Sequence, residues 1–222
     1  MVGGYIPTSF LDWEGRVAAV IFTSGCNFRC PWCHNAELAL GRAEGIPLQG
    51  VLTDIKRRAK FLDGIVITGG EPTLWPGLQN LLKELREAAL PAKLDTNGSN
   101  PDVLRKILED KLTAHVEMDV KAPFDDIVLS RVTGVQIQSR VIEDSVRIIK
   151  SLAASYSFRT TWSPHILSEA ELRRIAEDLE HDPCWVIQPF VPVNCLDPKW
   201  LDFPKTEPEE IRRILPNVRI RG

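Results

Sequence analysis

Gly25-Cys26-Asn27-Phe28-Arg29-Cys30-Pro31-Trp32-Cys33-His34-Asn35 comes just after the apolar run Val17-Ala18-Ala19-Val20-Ile21-Phe22. That run is short and partly β-branched, the pattern of a buried strand. Three thiols then lie on one loop at C-x-x-x-C-x-x-C spacing. Such separations let neighbouring thiolates converge on one centre. Three thiolates can hold an iron–sulfur cluster and leave one iron open to a small molecule. With His34 as a fourth ligand they can instead close a Cys3His zinc site. Unliganded thiols are the third reading. A disulfide cannot use all three, and Cys184 and Cys195 lie far downstream without the spacing of a second cluster.

Composition narrows the class. The 222 residues are 44% hydrophobic and 26% charged, an ordinary globular profile. A net charge of −3 and a pI of about 5.9 give no broad basic footprint for nucleic acid. No apolar run reaches the length of a membrane span, and the start lacks a basic region followed by an apolar core. The expectation is a cytoplasmic protein with no nucleic-acid or membrane partner.

Outward from the cysteine loop, strand and helix patterns alternate. Leu52, Ile55, Ala59 and Leu62 mark a helix over 48–62, and 64–68 reads as a strand cut off by Gly69-Gly70. A helix through Leu78, Leu81, Leu82 and Leu85 follows, then a strand over 92–96 ending at Asn97-Gly98. Asn100 and Pro101 open a helix over 101–112. Strands over 115–120, 157–162 and 185–190 are separated by helices over 139–153 and 168–180. The last of these helices opens on a Ser168/Glu171 capping-box pattern. Six strands alternating with helices predict an α/β protein with a parallel sheet. Chemistry in such a fold belongs at the C-terminal strand ends, and the polar motifs of this chain fall there. The open doubly wound sheet is the alternative to a barrel. A single domain over 1–222 is expected. Its core would span about 16–192, followed by a covering tail over 193–222 with a short helix near 207–215 and a terminal strand over 217–221.

The motif on its post-strand loop resembles the radical S-adenosylmethionine (SAM) superfamily. Cys33-His34-Asn35 is similar to the activating enzymes of glycyl-radical enzymes. The lead-in Thr8-Ser9-Phe10-Leu11-Asp12-Trp13-Glu14-Gly15-Arg16 resembles the branch that activates anaerobic ribonucleoside-triphosphate reductase, as does Phe22-Thr23-Ser24-Gly25-Cys26-Asn27-Phe28-Arg29-Cys30-Pro31. The likeness runs from about Gly4 to about Pro198. It implies a partial (β/α)6 barrel of parallel strands, the radical SAM fold.

The resemblance also implies a cofactor site. Cys26, Cys30 and Cys33 would ligate a [4Fe-4S] cluster. Thr68-Gly69-Gly70-Glu71-Pro72 resembles the family motif that binds the methionine end of SAM, with Gly70 and Glu71 nearest its amino group. Leu94-Asp95-Thr96-Asn97-Gly98 and Glu117-Met118-Asp119-Val120-Lys121 resemble stretches of the pyruvate formate-lyase activating enzyme. There the matching positions hold the SAM carboxylate, through the Lys and through a monovalent cation. Asp95, Thr96, Asp119 and Lys121 are therefore expected at the SAM site. The carboxylates of Asp95 and Asp119, the Thr96 hydroxyl and the Met118 backbone carbonyl are the expected ligands of the cation, which as a hard ion prefers oxygen. Trp32 and His34 flank Cys33, and Trp32 would contact the adenine ring. The alternatives are a solvated charge at each strand end and a packed loop aromatic. No second Cys-rich insert is present, so the electron would come from an external flavodoxin- or ferredoxin-type donor.

The resulting expectation is an enzyme that cleaves SAM reductively to a 5′-deoxyadenosyl radical. It would install a glycyl radical on a partner, anaerobic ribonucleotide reductase. The alternatives are a radical SAM enzyme acting on a small molecule, carboxy-deazaguanine synthase-like, and a non-catalytic metal-binding module.

Overall fold

A computed structural model describes residues 1–221. Six buried runs form parallel strands in chain order: β2 (Ala18–Thr23), β3 (Gly64–Gly69), β4 (Ala92–Thr96), β5 (His115–Asp119), β6 (Tyr156–Trp162) and β7 (Trp185–Pro189). These are the six strands expected from the sequence. Two further strands widen the sheet. β1 (Val2–Ser9) pairs antiparallel with β2, and β8 (Arg219–Ile220) pairs parallel with β7. Strand order follows chain order from β1 to β8 without reversal. A doubly wound sheet must reverse somewhere, so this order excludes it and gives the partial barrel. Among the described residues, β1 and β8 are its two edges.

Helices cover the outside because each presents one apolar face. In chain order they are α1 (Ala36–Ala39), α2 (Leu48–Arg58), α3 (Leu78–Glu87), α4 (Pro101–Glu109), α5 (Asp126–Thr133), α6 (Ser139–Leu152), α7 (Glu169–Asp178) and α8 (Pro208–Ile214). The buried residues of α3 are Leu78, Leu81, Leu82 and Leu85, the helical stripe read from the sequence. Ser168 and Glu171 form the expected capping box at α7. Asn100 does stand before α4, but its side chain makes no cap bond; its Nδ2 donates to Thr73 Oγ1 at 3.1 Å.

Two elements depart from the expectation. The sequence reading begins the core near residue 16, whereas the sheet begins at Val2. The helix α5 is the second difference. Asp125 caps it by accepting from the N–H groups of Ile127 and Val128, and Gly134 ends it at φ +70. Its C-terminal end meets the cysteine loop, where Arg29 N–H donates to Thr133 O at 2.7 Å. The tail covers the same loop from the other side. Asp197 N–H donates to Pro31 O at 2.9 Å, and Trp200 packs on Trp32 with ring centroids 5.5 Å apart. Gly222, the last residue of the expected tail, lies outside the described residues.

The barrel interior is charged where a closed (β/α)8 barrel is filled by branched apolar side chains. Period-two alternation sends Lys93 and Asp95 of β4, Glu117 and Asp119 of β5, and Arg159 of β6 into one network. Lys93 Nζ lies 2.5 Å from Glu117 Oε2 and also donates to Asp12 O at 2.7 Å, which ties the floor to the lead-in stretch.

Candidate active site

The cysteine loop leaves the C-terminal end of β2 and turns back over the end of β3. Gly25 and Gly70 make that turn possible. Glu71 N–H donates to Gly25 O, and Gly70 N–H to Thr23 O, both at 2.8 Å. A Cβ on Gly70 would stand 2.1 Å from Gly25 O. The glycine pair therefore serves the approach of two backbones, as well as any ligand above them.

A cavity of about 230 Å³ opens there, at the C-terminal strand ends. Its wall brings together most of the residues singled out from the sequence. Cys26, Cys30 and Cys33 are on it, as are Trp32, His34, Gly69, Gly70, Asp95, Thr96, Asp119 and Lys121. Asn97, Arg159, Thr161 and Gln188, which are not among the expected site residues, also line it. Trp32 is 6% exposed, pressed between this cavity and Trp200 of the tail. His34 Nε2 is 2.9 Å from Val191 O, which ties the end of the cysteine loop to the segment after β7.

The donor set fits a thiolate-held cluster. All three thiols face one cavity, and soft sulfur ligands suit iron–sulfur centres. Among the described residues no three His, Cys, Asp or Glu side chains converge on a single-ion site. Burial raises the Cys26 thiol above its ordinary range and pushes Cys30 up to about 12, Lys121 pulling the other way. Metal binding must displace those protons, so assembly is coupled to deprotonation.

Two parts of the expected site have surroundings of their own. Glu71 is not on the cavity wall. It is 1% exposed, and its carboxylate accepts from Thr73 N–H (3.0 Å), Thr73 Oγ1 (2.5 Å), Thr96 Oγ1 (2.8 Å) and Asn97 N–H (2.6 Å). Through these four bonds it braces the ends of β3 and β4. Burial pushes its pKa upward while these donors oppose the shift. Asp119, one of the expected cation ligands, is already paired. Both Asp119 oxygens are engaged, Oδ1 by Arg159 Nε at 2.7 Å and Oδ2 by Lys121 Nζ at 3.1 Å. The Met118 side chain is fully buried in the sheet and is not on the wall, so its backbone carbonyl is the atom it could offer. Burial alone would raise the Asp119 pKa, but Arg159 and Lys121 hold it well below the usual carboxylate range. Lys121 is likewise held above its ordinary value, because Asp119 and then Cys30 outweigh burial. Asp95 differs: burial pushes it up although Lys93 stands 3.1 Å away.

The wall thus offers soft sulfur at the cysteine loop and two cations, Lys121 and Arg159, the first close enough to Cys30 for the two to act on each other. This is an arrangement for holding a metal cluster and an anionic group side by side.

Comparison with known proteins agrees with that arrangement. Residues 20–179 match the radical SAM superfamily. A Methanocaldococcus jannaschii protein provisionally named a glycyl-radical enzyme activating enzyme is 31% identical over 96% of this chain and 90% of its own. The pyruvate formate-lyase-activating enzyme of Clostridium pasteurianum is 25% identical over 74% of this chain and 70% of its own. A 7-carboxy-7-deazaguanine synthase of Neisseria meningitidis is 39% identical, over 40% of each chain. Streptococcus suis SuiB bound to S-adenosylmethionine shares the fold at a TM-score of 0.65 and 16% identity, over 91% of this chain and 49% of that one. With three thiols on the post-β2 loop of such a barrel, the chain belongs to the radical SAM superfamily and is a radical SAM oxidoreductase, of the kind that works with a [4Fe-4S] cluster and SAM.

Proposed function

We propose that this protein activates a glycyl-radical enzyme, and that its partner is an anaerobic ribonucleotide reductase. The observation that carries the reading is the reach of the activating-enzyme likeness, which spans 96% of this chain, against 40% for the deazaguanine synthase. The Cys33-His34-Asn35 extension points the same way.

In this reading Cys26, Cys30 and Cys33 hold the cluster. The backbone of Gly69 and Gly70, with Asp95, Thr96, Asp119, Lys121 and Trp32, holds SAM. When bound, the two cofactors supply one-electron cleavage of the sulfonium to a 5′-deoxyadenosyl radical. Lys121 meets the SAM carboxylate as a point charge. Arg159 fixes Asp119, so that Lys121 is aimed from a set position. Gly69 and Gly70 let the ligand approach the backbone of β3 closely. Trp32, held by Trp200, closes the apolar side of the cavity against water. The open edge between β1 and β8 and the cavity mouth give a glycine on a partner loop a way in. The electron comes from an external flavodoxin- or ferredoxin-type donor, and the working compartment is the reducing cytoplasm. We propose one domain, with the tail after β7 as its cover. Among the described residues no helix is long and apolar enough to cross a membrane.

The test is electron paramagnetic resonance on a co-expressed anaerobic ribonucleotide reductase, given SAM and a strong reductant. A glycyl-radical signal that depends on this protein is expected. Robust SAM turnover on a free nucleobase or pterin, with no radical on any protein, would favour a small-molecule enzyme of the deazaguanine synthase kind instead. The partial identity to that synthase makes this the second reading.

A further inference from the structure

Asn97, directly after β4, is 5% exposed. Its side chain lies against the cysteine loop. Nδ2 is 3.7 Å from Cys26 Sγ and 3.0 Å from Asn27 Oδ1, while Oδ1 accepts from Ser99 N–H at 2.9 Å. That last bond settles which way the amide faces. A backbone N–H can only donate, so the oxygen must stand on the Ser99 side and the amine on the sulfur side. The residue is also held from behind, since its own N–H donates to the buried Glu71 carboxylate at 2.6 Å. Phe28 N–H is a second donor to the same sulfur at 3.4 Å. Among the described residues Asn97 is the side chain that donates to any of the three thiols of the motif.

We propose that Asn97 is a positioning residue that sets the reduction potential of the cluster, through a hydrogen bond from its amide to the Cys26 sulfur. This rests on the reading of Cys26 as a cluster ligand. The sign follows from charge. The reduced cluster carries one more electron than the oxidised one, so its sulfurs are more negative and a donor stabilises it more. The bond therefore raises the potential and makes the cluster easier to reduce. It also gives the acid of Gly69-Gly70-Glu71 a role. Glu71 fixes the Asn97 backbone, and Asn97 in turn addresses a sulfur on the loop that Gly70 allows to come close.

The experiment is a redox titration of the anaerobically reconstituted full chain, followed by electron paramagnetic resonance of the reduced cluster. Iron content is measured alongside. Asn97→Ala removes the donor. Asn97→Ser also removes it, but keeps a hydroxyl that can make the local turn bond to Ser99 N–H. Asn27→Ala removes the neighbouring contact and leaves the sulfur donor in place. Both Asn97 variants are expected to keep full iron and to be about tenfold harder to reduce, about 59 mV lower for a one-electron couple. Asn27→Ala is expected to titrate with the wild type. An unchanged potential in Asn97→Ser overturns the proposal. So does an equal shift in Asn27→Ala, or loss of iron from Asn97→Ser, since either makes the residue a general support of the loop. Wild-type protein that takes up no cluster fails differently, because it overturns the reading of Cys26 itself.

Discussion

Arg159 Nε lies 2.7 Å from Asp119 Oδ1, across the β5–β6 register in which these two residues are direct partners. Arg159 is also within 3.4 Å of Glu117, so one guanidinium serves two carboxylates of β5. Its side chain is 22% exposed, sheltered enough for the charge to matter. Arg159→Met should keep the bulk and leave the carboxylates short of a counter-charge. Removing one member of a buried charge pair costs about 3–5 kcal/mol, nearer the lower figure where water reaches the site. Urea unfolding measures it. A loss below about 1 kcal/mol would mean that water already screens the network.

Gly70→Ala tests the close approach of the two loops. The new Cβ would meet Gly25 O, a backbone atom with no flexible side chain to give way. The cysteine loop must then move off the end of β3. Iron bound per chain should fall sharply, and stability should drop by about 1–3 kcal/mol, the usual cost of overpacking. Full iron content with an unchanged melting temperature would show that the loop is not seated on Gly70.

Much of this layout is legible in the sequence, and the gaps have physical causes. The runs Ala18–Ile21 of β2 and Ile65–Ile67 of β3 are continuously apolar because both faces are covered. β1 is hidden because it is an edge: Gly3, Gly4 and Pro7 sit in it, and Ile6, Pro7 and Thr8 are exposed. Such a strand carries neither an alternating nor a continuous apolar signal. The short helix α5 offers only Leu129, Val132 and Thr133 as buried positions, too few for a clear stripe. At the site, the three thiols, the glycine pair and the strand-end charges are visible as motifs. Arg159 is not, because an Arg within Ser157-Phe158-Arg159-Thr160 could face solvent or the barrel axis. The register of β6 on β5 decides that, and register is not written in either strand alone. Glu71 shows the reverse case: the motif is plain, but whether its carboxylate points into the cavity or behind it depends on Thr73, Thr96 and Asn97.

His115 gives the fold a pH dependence with a definite sign. Burial, with Lys93 adding, lowers its pKa to about 4 from an ordinary 6.5, and Ser155 and Ser157 hold its ring. The folded state therefore prefers the neutral ring. Between pH 6.5 and 4 the unfolded chain binds more protons, so stability is intact above 6.5 and falls as pH drops through that window. At its lower end Glu117, lowered to about 2 against burial by Arg159 and Lys93, adds a further loss from about pH 4.5 downward. Unfolding free energy measured against pH should thus slope in two stages. His115→Asn should flatten the upper stage and leave the lower one. An upper stage of the same slope in the variant would assign it to another group.

The cluster assignment predicts a sharp division among the five cysteines. Cys26→Ala, Cys30→Ala and Cys33→Ala should each abolish the charge-transfer absorbance of the reconstituted protein and its SAM cleavage. Cys184→Ala and Cys195→Ala should keep both. Cys195 makes this a strict control, because it is 8% exposed and its thiol feels Cys33. Loss of cluster iron from the Cys195 variant would sink the three-ligand assignment.

Lys121 carries the sharpest expectation about SAM itself. Its ammonium is on the cavity wall, 3.1 Å from Asp119 and held charged, with Cys30 and Cys33 of the cysteine loop acting on it as well. A carboxylate entering the cavity can therefore add to this charge without losing a better partner. Lys121→Met keeps the aliphatic stem and removes the charge. A hydrogen bond to a charged group is worth about 1.5–3 kcal/mol, so SAM affinity by isothermal titration should fall roughly ten- to a hundredfold with iron content unchanged. Lys121→Arg should recover only part of it, since a planar fork cannot take the position of a compact ammonium. If affinity is unchanged in Lys121→Met but lost in Arg159→Met, the carboxylate sits on β6 instead. If neither variant weakens binding, these charges brace the barrel and the anion is held by backbone alone.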